Sequence, residues 1–85
     1  MKEFTYNITD ENGLHSRPAG LIVKEAGKYN CSVTLKSGDK SADAKRIFAV
    51  MSLSVKCGDS VTVITEGADE DNAATSLKAF FEENL

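Results

Sequence analysis

The chain has 85 residues, 41% hydrophobic and 27% charged, with a formal net charge of −3 at pH 7. That balance excludes disorder, and the length allows one domain over residues 1–85, which buries roughly 60–65% of its unfolded surface and leaves little room for a deep enclosed active site. The acidic total argues against nucleic-acid binding, and with no long apolar run, no membrane insertion is expected.

The charge is uneven along the chain. Asp69, Glu70, Asp71, Glu82 and Glu83 crowd the end, whereas Arg17, Lys24, Lys28, Lys45 and Arg46 come earlier. A basic patch on an acidic protein fits an acidic protein partner. The first ten residues alternate polar with apolar instead of forming a signal-peptide core, so a cytoplasmic location is expected. Cys31 and Cys57 are in no metal-ligand or redox spacing. Both are expected to be small buried hydrophobes, and no metal or cofactor is expected.

Phe4, Tyr6 and Ile8 alternate with Glu3, Thr5 and Asn7, the period of a half-buried strand. Asn12-Gly13 marks a turn into a helix over about residues 16–28, with Ala19, Ile22, Val23 and Ala26 on its apolar side and Gly27 near its end. Cys31, Val33 and Leu35 alternate again, and Ser37-Gly38-Asp39 turns into a short strand through Ala42 and Ala44. Residues 47–53 form a brief apolar helix, and Val61 and Val63 mark a fourth strand. A last helix over 69–85 carries Ala73, Ala74, Leu77, Phe80 and Phe81 on one stripe, with Asp69 as its N-cap. The order β-α-β-β-α-β-α gives an α+β sandwich with one wet sheet face and helices over the other. A ferredoxin-like arrangement, without the terminal helix, is the main competitor.

His15 is the only histidine, and its context gives it meaning. Gly13-Leu14-His15-Ser16-Arg17-Pro18-Ala19 runs from a turn into the first turn of a helix, where Pro18 has no amide bond to lose. A helix start offers unpaired backbone N–H groups and partial positive charge. That field, with Arg17 adjacent, disfavours an imidazolium, so a neutral ring with a nucleophilic lone pair is expected near pH 7. Once phosphorylated, the ring's new negative charge would meet the Ser16 backbone N–H and the Arg17 guanidinium. Metal-assisted or independent hydrolysis fits poorly, because there is no second histidine, metal set or Walker loop.

This segment resembles the active-site stretch of HPr, the histidine-containing phosphocarrier family of the bacterial sugar phosphotransferase system. Residues 47–53 look like the family's second helix segment. Gly58-Asp59 before a Val-rich strand and Glu66-Gly67-Ala68-Asp69-Glu70 before the last helix match it too, in the family's order. The resemblance implies an open-faced β-sandwich: a four-stranded antiparallel sheet covered on one face by three helices. It also implies that phosphorylated Enzyme I gives a phosphoryl group to Nδ1 of His15 and that sugar-specific IIA domains collect it. Such a transfer needs alignment and charge neutralisation more than acid–base machinery. An HPr-like paralogue in a regulatory or nitrogen-type relay would keep the same residues and is the alternative.

The expected partner surface is Leu21 and Lys24 on the first helix, in line with Arg17 and Lys28, together with Arg46, Ile47, Phe48 and Met51. Ile47, Phe48 and Met51 are either all core or in part an exposed apolar docking patch beside His15; the resemblance favours the second, with Ile47 and Phe48 as the exposed residues. A monomer is expected. Arg46 departs from the family, which usually carries there a serine that in many Gram-positive bacteria is phosphorylated by an ATP-dependent kinase. No regulatory serine is therefore expected in this chain, and Arg46 removes a favourable N-cap.

Overall fold

The computed structural model describes every residue except Asn12 and His15, and Ser16 through its backbone alone. The elements are β1 (Lys2–Asn7), α1 (Ser16–Ala26), β2 (Cys31–Ser37), β3 (Lys40–Asp43), α2 (Ile47–Met51), β4 (Ser60–Gly67) and α3 (Glu70–Asn84), in the order that the periodicities predict. The strands make one antiparallel sheet in the order β1-β4-β2-β3.

Register explains the two faces. Val63 of β4 lies opposite Phe4 of β1 on one side and Leu35 of β2 on the other, so these three apolar side chains share one face. One residue along, Thr5 is opposite Thr62 on the wet face, their hydroxyls 3.2 Å apart. The alternation thus puts Val33, Leu35, Val61, Val63 and Thr65 under the helices. Thr65 is tolerated there because its hydroxyl donates to the Glu70 carbonyl at 2.9 Å. From α3, Ala73, Leu77 and Phe81 are fully buried, while Ala74 and Phe80 at the edge of the stripe are half-buried. Phe81 meets Phe4 and Tyr6 edge-on, with ring centroids 6.0 and 5.8 Å apart. The result is an open-faced α+β sandwich.

Several expected details are corrected. α1 stops at Ala26, short of residue 28, because the Lys28 and Tyr29 amides bond three residues back, to Glu25 and Ala26, and tighten the end. β3 ends at Asp43, although the Ala44 N–H still reaches the Val33 carbonyl at 2.8 Å. Asp69 does not cap α3 with its side chain. Its carboxylate instead accepts the Asn30 backbone N–H at 2.7 Å, joining the start of α3 to the turn before β2. Neither cysteine is fully buried. Cys31 points inward at the first position of β2, where cover is incomplete, and Cys57 is exposed in the turn before Gly58. Partial burial pushes the Cys31 thiol up from its ordinary pKa.

The loop from β1 to α1 is pinned from two directions. Ile8 exchanges backbone bonds with the turn before β4, donating to Asp59 and accepting from Gly58, and the Leu14 N–H donates to Val55 at 3.0 Å. From the other side, the Thr9 and Asp10 amides and the Thr9 hydroxyl all donate to the Leu85 carbonyl. The start of α1 is therefore fixed by both the residues preceding β4 and the end of α3.

Candidate functional site

α1 begins at Ser16, so Pro18 falls in its first turn, where the missing amide proton costs nothing. No acidic residue occupies that turn. The free amides and the helix field there favour an anion. His15 lies outside the described residues. Among the described residues no salt bridge engages Arg17, which is exposed.

Arg17 borders a cleft of about 270 Å³ between α1 and the last turn of α3. Pro18, Leu21 and Phe80 form its apolar walls, and Asp10, Asn84 and Leu85 complete it. Asp10 and the α3 residues are absent from the sequence-based site. Asp10 belongs to a polar loop with no periodicity, and bonds to Leu85 help bring these segments together.

Further along α1, Leu21 is 39% exposed and Lys24 is exposed, while Ala19, Ile22 and Ala26 are buried on the opposite side. Lys28 lies past the helix end, its ammonium turned onto Glu25 at 3.1 Å. α2 packs against α1 near Gly20, where the Ile47 Cδ1 would lie 3.7 Å from an added Cβ.

With five residues, α2 has an inward pair and an outward pair at three-residue spacing. Val50 is buried and Ile47 half-buried, whereas Phe48 is 82% and Met51 36% exposed. The expected exposure of Phe48 holds. That of Ile47 is corrected: the side chain packs against the core, and Met51 takes its place beside Phe48. Arg46 occupies the N-cap of α2 in extended geometry, with no side-chain cap bond. Lys45 and Arg46 flank Ile47, Phe48 and Ala49 in a shallow groove. The Lys45 ammonium donates to the Tyr29 carbonyl at 3.0 Å and so ties this corner to the end of α1.

Among the described residues, no helix is long and apolar enough to cross a membrane. A family model described as "PTS HPr component phosphorylation site" matches residues 2–83. The phosphocarrier protein HPr of Vibrio cholerae is 40% identical over 83 residues, covering 98% of each chain. The HPr-like protein Crh of Halalkalibacterium halodurans is 38% identical over 82 residues, 96% of this chain and 98% of its own. The crystal structure of HPr-C-His from Thermoanaerobacter tengcongensis superposes with a TM-score of 0.91 at 39% identity, over 96% of this chain and 92% of that one. With the match running from β1 to the end of α3, the chain belongs to the HPr family of phosphotransferase-system phosphocarriers.

Proposed function

We propose that the chain accepts a phosphoryl group on His15 from phosphorylated Enzyme I and passes it to sugar-specific IIA domains in the cytoplasm. The observation that carries this reading is Arg17. Its guanidinium stands exposed in the first turn of α1, two positions after the histidine, with no salt bridge to a described acid. A fixed cation beside unpaired helix amides neutralises a transferring phosphoryl group without needing an enclosed pocket. The Ser16 backbone N–H adds to it.

Leu21, Lys24, Arg46, Phe48 and Met51 form the docking face in this reading, with the half-buried Ile47 supporting it from the core side. Phe48 is its apolar anchor, Leu21 and Met51 widen it, and the cations at the rim steer an acidic partner. In this reading the chain acts as a monomer. A regulatory relay is the second reading, favoured by the similarity to Crh.

A chase separates the two. The chain is labelled with Enzyme I and phosphoenolpyruvate, then mixed with a purified sugar IIA domain. Rapid passage of the label to the IIA domain is expected. Label that enters from Enzyme I but stays on the carrier supports the regulatory relay.

A further inference from the structure

We infer that Asp10 is a positioning residue that acts through Arg17 and keeps the phosphorylated carrier ready to release its phosphoryl group. The inference rests on the proposed carrier function. Among the described residues, Asp10 and Arg17 are the oppositely charged side chains that line the cleft between α1 and α3. Asp10 cannot drift away from it, because its backbone is held on both sides. Its N–H donates to the Leu85 carbonyl and its own carbonyl accepts the Gly13 N–H, each at 2.9 Å. Leu14, next along, is fixed to Val55.

A phosphocarrier has to surrender what it accepts. In each exchange one P–N bond breaks on the donor histidine as another forms on His15, and the donor ring takes up the proton that the His15 ring gives up. No electrons change hands, so the partition of the phosphoryl group depends on how strongly each site stabilises it. Arg17 and the helix amides pull it toward this carrier. The carboxylate of Asp10 works against them in two ways. It attracts the guanidinium in the unphosphorylated carrier, and it repels a dianion gathered at the same end of α1. Both effects disfavour the phosphorylated form. In an open cleft they are screened by solvent, so together they shift the partition by about three- to fivefold.

The test compares wild type, Asp10→Asn and Asp10→Glu. Each is equilibrated with phosphorylated Enzyme I, and the phosphoryl group on each protein is counted by mass spectrometry at low and at high salt. Asparagine keeps the backbone bonds and removes the charge. Asp10→Asn is expected to move the partition toward the carrier about three- to fivefold at low salt, with a smaller shift at high salt. Asp10→Glu is expected to restore the wild-type partition. An unchanged partition in a normally labelled Asp10→Asn, a shift toward the donor, or a salt-independent shift overturns the inference. Wild type that takes no label overturns the carrier reading itself.

Discussion

Gly13 and Val55 approach so closely that a Cβ on Gly13 would stand 2.3 Å from the Val55 carbonyl oxygen. Gly13 also has φ +65°, where a side chain is strained whatever the space. That contact, with the neighbouring Leu14 bond to Val55, fixes the loop entering α1. Gly13→Ala is expected to destabilise the fold by about 2 kcal/mol or more, lowering Tm by roughly 8 °C or more in a domain of this size. Thermal unfolding followed by circular dichroism checks it, and an unchanged Tm would mean that the two loops separate at no cost.

Glu70 gives stability a defined pH dependence. The Met1 ammonium, and after it the Gly67 N–H, bond its carboxylate and hold its pKa below the ordinary range. A carboxyl depressed in this way stabilises the fold above its unfolded pKa of about 4.3, and that stability is lost as pH falls through the folded value. Glu70→Gln is expected to be less stable than wild type at neutral pH, with the gap closing in acid. Urea denaturation of both proteins across pH reads the gap directly. Parallel stability curves down to strong acid would contradict the assignment.

Phe48 separates folding from docking. At 82% exposure it adds little to the core, so Phe48→Ala is expected to change stability by no more than about 0.5 kcal/mol. The same change is expected to speed dissociation from Enzyme I, whereas Lys24→Glu slows association and weakens its salt dependence. Stopped-flow kinetics resolves the two. Unchanged rates in both variants would place the docking face elsewhere.

Arg46 leaves α2 without a side-chain cap. Serine at this position can accept a backbone N–H of the first turn, so Arg46→Ser is expected to stabilise the fold by about 0.5–1 kcal/mol. It also restores the hydroxyl that the family's ATP-dependent kinase uses. With ATP and an HPr kinase, phosphoserine is expected in Arg46→Ser and not in wild type, while labelling of His15 is expected in both. Phosphoserine mapped in wild type, at Ser52 for instance, would show that regulation has moved instead of disappearing.

What the sequence revealed depended on the range of the interactions involved. Alternation of two carried the strands, since each buries one face, and the order of all seven elements follows from it and from the helical spacings. Element ends were less legible because they rest on particular bonds. Asp69 has the composition of a cap, yet Asn30 takes its carboxylate across a gap of 39 residues. Ser54 adopts φ 55° after α2, although nothing in its own type requires it. Ile47 and Phe48 are neighbours of similar hydrophobicity, and the packing of α2 on α1 and β3 turns one inward and leaves the other in water. Arg17 was legible from local spacing. Its neighbour across the cleft, Asp10, was not, since the end of α3 brings the loop into place.

The most direct measurement is intact-protein mass spectrometry after incubation with Enzyme I and phosphoenolpyruvate, run on wild type and on His15→Ala. Wild type is expected to gain one phosphoryl group, labile in acid and stable in base, and His15→Ala to gain none. A fully labelled His15→Ala protein would contradict the assignment of His15 as the acceptor.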